Sequence, residues 1–97
     1  IYAQGNETPA GGFRLYDNYP NPFNGSSRIK FEVAKLCRVS IIVYDVLGKE
    51  VSILVNEKLN PGKYETVFNA SRLSSGIYFY RITAGDFVRT KKMVLIK

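Results

Sequence analysis

The sequence predicts an all-β fold, a seven-stranded antiparallel immunoglobulin-like β-sandwich, on three observations. Short runs of alternating apolar and polar residues recur along the chain, the period-two signature of half-buried strands. Turn-forming Gly, Pro, Asn and Asp separate them at intervals of roughly 8 to 12 residues, and no stretch has the period of an amphipathic helix. The third is Leu73-Ser74-Ser75-Gly76-Ile77-Tyr78, which has the spacing of a sandwich corner. A leucine plugs the core as the chain crosses between sheets, Gly76 permits the sharp turn, and Tyr78 ties its hydroxyl back to the corner backbone. The strand that follows then faces Tyr78, Tyr80 and Ile82 inward.

Residues 1–12 are rich in Gln, Gly, Asn and Thr, lack periodicity and do not begin with methionine, so a linker from an upstream domain is expected there. Residues 13–97 are then the folded unit. Phe13 to Tyr16 is a short first strand. It leads into Tyr19-Pro20-Asn21-Pro22-Phe23, where two prolines donate no backbone hydrogen bond and exclude a central strand. This segment should cross one end of the sandwich, pinned by Tyr19 and Phe23, with Asn24-Gly25 turning into the next strand.

Ser26 to Ala34 alternates, with Ile29, Phe31 and Val33 inward and Arg28, Lys30 and Glu32 outward. Arg38 to Val46 is apolar on both faces and should be central in its sheet. Asp45-Val46-Leu47-Gly48-Lys49 is a tight connection. Glu50 to Val55 returns with Val51, Ile53 and Val55 inward. After the Asn60-Pro61-Gly62 turn, Lys63 to Asn69 places Tyr64, Thr66 and Phe68 inward and Glu65 outward. The corner strand runs from Gly76 to Ala84 and a hairpin at Gly85-Asp86 leads into the last strand. There the alternation breaks at Lys91-Lys92, which predicts a bulge.

Composition bounds the function. Ninety-seven residues make one domain with a core but no room for a deep catalytic cleft as well. Histidine is absent, which removes Ser-His and Cys-His machinery, the usual zinc sites and the commonest general base near neutral pH. The carboxylates fall mostly on outward or turn positions. No catalytic residues, cofactor or metal ligands are therefore expected, and the domain should not be an enzyme. Cys37 is the single cysteine and reads as an inert small hydrophobe. The net charge of +6 is spread along the strands and is not clustered, so nucleic acid is not an expected partner. No run of about 18 apolar residues occurs, so no helical membrane span is expected.

Four segments match one pattern in one order: Asn18-Tyr19-Pro20-Asn21-Pro22-Phe23-Asn24, then Val43-Tyr44-Asp45-Val46-Leu47-Gly48-Lys49-Glu50-Val51, then Leu73-Ser74-Ser75-Gly76-Ile77-Tyr78-Phe79-Tyr80, and finally Lys91-Lys92-Met93-Val94-Leu95-Ile96-Lys97. Together they resemble the type A C-terminal sorting domain of the type IX secretion system. The resemblance implies a non-catalytic signal that directs an upstream cargo across the outer membrane of Bacteroidota and related bacteria. It also implies transit through the periplasm, then release or display at the cell surface. The implied partners are the outer-membrane translocon, its shuttle and a sortase-like peptidase. The sorting signal maps onto Lys91, Lys92, Met93, Val94, Leu95, Ile96 and Lys97; Tyr19 to Phe23, Tyr44, Asp45, Gly48, Leu73, Gly76 and Tyr78 fill structural positions of the motif. Gly25 stands where the family commonly has proline, which should loosen that loop. An apolar terminal strand of this kind is suited to recognition by β-augmentation, its backbone edge pairing with a receptor strand.

A small sandwich also fits a second class, a stalk, adhesion or carbohydrate-binding module of an extracellular enzyme. Most tyrosines fall on core positions, however, and no tryptophan is present to form a sugar platform.

Overall fold

The computed structural model describes residues 2–3 and 12–97, in which eight strands form two four-stranded sheets. The strands are β1 (Tyr2–Ala3), β2 (Arg14–Leu15), β3 (Ser26–Val33), β4 (Cys37–Tyr44), β5 (Glu50–Leu59), β6 (Gly62–Asn69), β7 (Gly76–Ala84) and β8 (Phe87–Leu95). The first sheet has the order β1-β6-β3-β2 and the second β5-β4-β7-β8, with antiparallel pairing throughout. The seven expected strands are β2 to β8, and the two-residue β1 is an addition. Most of the expected linker lies outside the described residues; within it, Tyr2 pairs with Glu65 and Ala3 with Tyr64.

The alternation of β3, β4 and β7 converts directly into a core. Ile29, Phe31 and Val33 of the first sheet meet Val39, Ile41, Val43, Tyr80 and Ile82 of the second, all fully buried. Each such side chain contributes on the order of 1.5–3 kcal/mol through lost contact with water. As its doubly apolar pattern predicts, β4 is central, between β5 and β7. The corner is where β6 hands the chain to the second sheet. Leu73 donates its N–H to the Ala70 carbonyl and packs half-buried against the core, and Gly76 takes φ +153°, a value side-chain-bearing residues rarely adopt. Tyr80 ties the sheets together, its buried hydroxyl donating to the Tyr16 carbonyl at 2.8 Å. Burial pushes that phenol's pKa well above its usual value, a backbone hydrogen bond from Asn18 opposing and the Asp17 charge adding to the rise.

Four expectations are corrected. Ile53 is 55% exposed where an inward position was expected. The β4–β5 register slips twice: Ile41 pairs with Val55 but Ile42 with Ile53, and Val43 pairs with Ser52 but Tyr44 with Glu50. Leu54 and Val51 are the extra residues, and each bulge resets which side chains face inward. Glu32 and Glu65 are buried, not outward. Tyr16 lies over the first sheet's outer face and its hydroxyl donates to the Glu32 carboxylate, while Glu65 is covered with Arg28 Nη1 3.7 Å away. The Lys91-Lys92 bulge does not form. Pairing of β7 with β8 is continuous from Ala84–Phe87 to Gly76–Leu95, and the inward phase simply continues through Arg89 and Lys91 at the sheet edge. Opposite them the first sheet contributes only the two-residue β2, so the charges reach solvent. Tyr19, finally, is exposed and pins nothing; its backbone exchanges two hydrogen bonds with Arg28 instead.

Candidate functional site

The C-terminal strand and the Pro-Asn-Pro segment, far apart in sequence, form one structure. β8 is the edge strand of the second sheet, with β7 on one side. Against its other side lies the segment that begins on the first sheet at Tyr19 and reaches the second at Phe23. Phe23 N–H donates to the Val94 carbonyl at 2.9 Å, and Ile96 N–H donates to the Phe23 carbonyl at 2.8 Å, a short parallel bridge. One turn earlier, Val94 N–H donates to Asn21 Oδ1 at 3.0 Å. The two prolines thus flank the residue whose side chain substitutes for a backbone acceptor. Phe23 anchors the strap, its ring buried with its centroid 6.0 Å from that of Phe68.

The strap rejoins the first sheet through Gly25, whose φ is +92° and whose carbonyl accepts from Ala70 N–H at 2.7 Å. Proline is fixed near φ −65° and could not take this conformation, so a proline at position 25 would require a different turn. Behind it, Asn18 Nδ2 donates to Ser27 Oγ at 3.0 Å, and Ser27 donates to the Pro20 carbonyl at 2.8 Å.

The seven residues expected to carry the signal divide into two sets. Met93 and Leu95 are fully buried core residues. Lys91 is half-buried and reaches Asp17 at 2.9 Å, and Val94 is half-buried on the outer face of the sheet. Lys92, Ile96 and Lys97 are exposed. Lys97 is nevertheless held: its N–H donates to Ser75 Oγ at 3.0 Å and its Nζ to the Ser71 carbonyl at 2.7 Å, binding the strand's end to the corner. The corner is closed from within by Tyr78, whose hydroxyl donates to the Ser74 carbonyl at 2.7 Å.

β-Augmentation on residues 94–96 is therefore blocked in the folded state, because their outer edge already pairs with residues 21–23. The alternation that turns the Val94 backbone outward does the same for Thr90 and Lys92, and neither is paired on that side among the described residues. Sequence reasoning placed both segments but missed their contact. The asparagine between two prolines was the available signal, since a side-chain carbonyl there is well placed to accept for a strand edge.

Of the other motif positions, Asp45 organises the β4–β5 turn. Its Oδ1 accepts from Leu47 N–H and from Lys49 N–H, both at 2.9 Å, its carbonyl accepts from Gly48 N–H, and its own N–H donates to Lys49. Among the described residues no group of three or more potential metal ligands occurs, and no helix is long and apolar enough to cross a membrane.

A family model described as a secretion system C-terminal sorting domain matches residues 17–97. Comparison with curated proteins gives no match. Among solved structures, the chain is similar to dimeric latent PorU from Porphyromonas gingivalis, with a TM-score of 0.67 at 18% sequence identity. The similarity covers 82% of this chain and 9% of that one, so the chain spans a small fraction of the protein it matches and the likeness establishes the fold.

Proposed function

The chain belongs to the secretion system C-terminal sorting domain family, and from that premise we propose that the exposed part of residues 91–97 is what the export apparatus reads. The domain is a sorting signal of type IX secretion, which sends the protein bearing it to the cell surface or the extracellular space. The family is non-catalytic in general, and we assign this chain no reaction and no cofactor.

The finer reading is as follows. Residues 1–12 connect residues 13–97 to an upstream cargo. The cargo passes through the periplasm, where a translocon or shuttle component engages the domain. A sortase-like peptidase then separates domain from cargo. One observation carries the assignment of the signal: Lys92 and Ile96 are exposed on a strand immobilised through buried Met93 and Leu95 and through the strap at Asn21 and Phe23. A receptor therefore meets these side chains already ordered, so little conformational entropy is lost on recognition. Recognition of residues 94–97 proceeds through side chains, because the backbone edge is occupied.

The test is a reporter fused ahead of the chain in a type IX-competent bacterium, with Lys92→Glu and Ile96→Asp combined. Both sites are exposed, so the melting temperature should stay within a few degrees of the unaltered domain. The reporter should accumulate in the periplasm. Unchanged export at unchanged stability would overturn this assignment of the signal.

A further inference from the structure

The two outer faces of the sandwich differ in kind. That of the first sheet carries charges of both signs, among them Arg28, Lys30 and Lys63 with Glu32 and Glu65. That of the second sheet carries Ile42, Tyr44, Ile53, Ile77 and Phe79 in adjoining rows, since Ile42 pairs with Ile53 and Tyr44 with Phe79. All of these are half-buried or exposed. At the end of this face the β4–β5 turn projects Leu47, 89% exposed, beside Val46. The turn is not loose, because the four hydrogen bonds that converge on Asp45 fix it. An exposed leucine on a rigid turn is a preorganised apolar knob.

Beside the knob lies an open cleft of about 300 Å³, lined by Tyr44, Phe79, Arg81 and Thr90 and, from the turn, by Asp45 and Val46. Arg81 is immobilised there, its Nη2 donating to the Tyr44 hydroxyl at 2.7 Å with the guanidinium 4.8 Å above the ring. Neither ion pair among the described residues involves it, and the carboxylate that shares its cleft, Asp45, is turned to the backbone amides of Leu47 and Lys49 through Oδ1. Tyrosine and arginine are among the residue types that dominate binding energy at protein interfaces. The charge of the face selects among occupants. Arg38, Lys58, Arg81 and Lys92 stand on it against Glu50 and, in the turn at its end, Asp45. A second copy of this chain, itself at +6, would meet like charge.

We propose that the outer face of the second sheet is a docking surface for an acidic folded protein that receives Leu47 in an apolar recess and presents a carboxylate to Arg81. The inference rests on the sorting reading, since the partner acts during export, but its two anchors, Leu47 and Arg81, lie outside the 91–97 signal.

The experiment uses the same reporter fusion with Leu47→Glu, Arg81→Glu, Arg81→Lys and, on the opposite face, Val67→Glu. Leu47→Glu and Arg81→Glu should each lower the exported fraction by about tenfold or more, the first by placing a charge in an apolar recess and the second by losing a hot-spot arginine. Arg81→Lys and Val67→Glu should export like the unaltered fusion, and all four purified domains should melt within a few degrees of it. A photo-crosslinking residue at position 47 should trap a different protein, and one at position 67 should not. Normal export of both acidic variants would overturn the proposal. So would an adduct of twice the fusion's mass, which marks a second copy, or co-sedimentation with phosphatidylglycerol vesicles that Leu47→Glu abolishes, which marks a membrane. If the unaltered fusion stays in the periplasm, the sorting reading itself falls and the proposal with it.

Discussion

The hydroxyl of Tyr78 donates to the carbonyl of Ser74, four residues earlier in the chain, at 2.7 Å. This single bond closes the corner through which the chain passes from one sheet to the other, and the same corner accepts both hydrogen bonds from Lys97. Replacing Tyr78 by Phe keeps the ring and removes the donor. The expected loss is about 1 kcal/mol or more, because the Ser74 carbonyl is left without its partner. It would be read as a lower denaturant midpoint at unchanged slope; an unchanged midpoint would deny the bond any role in stability.

The strap can be loosened without touching the core. Asn21→Ala removes the acceptor for Val94 N–H but leaves Phe23 and both its backbone bonds in place. Amide hydrogen exchange at Val94 should accelerate by about tenfold or more, the equivalent of one modest hydrogen bond, while Ile96 remains protected. Equal rates in both proteins would show that the side-chain bond does not hold the edge.

Scaffold and signal separate within β8 and the two residues that follow it. Met93→Ala should cost about 2–5 kcal/mol, as for other fully buried large-to-small changes. Ile96→Ala, at a half-exposed site, should fall within about 1 kcal/mol of the parent. If export follows side-chain recognition, Ile96→Ala lowers it despite normal stability. Melting curves and the exported fraction, measured together, decide this.

Alkaline pH should destabilise the fold through Tyr80. Burial raises its folded-state pKa above the ordinary tyrosine value of about 10 that applies when the chain is unfolded. Its contribution is fully present below pH ~10. Above that the unfolded chain releases the proton while the native state keeps it, so stability falls as pH rises. Tyr16 and Tyr64 shift the same way, Tyr16 mainly through its hydrogen bond to Glu32 and Tyr64 mainly through desolvation, but near the surface their effect is screened. Tyr80→Phe should flatten the slope of stability against pH between about 10 and 12, measured by denaturant titration.

What could be read from the sequence, and what could not, follows from the range of the interactions. Alternation is local, so β3, β4 and β7 and their inward residues were legible, as was the corner, whose three signals lie within six positions. The bulges at Leu54 and Val51 were not, because a bulge belongs to a pair of strands and leaves no mark on one. The burial of Glu32 depends on Tyr16, sixteen residues away, whose coverage alternation cannot report. In the proposed signal, residues 91–97, the lysines and apolar positions were visible as a motif. That the strap covers their backbone edge was not, since Asn21 and Val94 stand 73 residues apart.

That separation also orders events in time. A ribosome delivers residues 21–23 well before residues 94–96, so the strap has nothing to pair with until β8 and the residue after it emerge. Contacts this distant in sequence form slowly, since a long loop must close first. A polypeptide truncated before Val94 would leave Phe23 without its bridge, exposing an incomplete sandwich to proteases. Closure of the strap thus reports that synthesis has run through residue 96, and it fixes in place the side chains proposed here as the address.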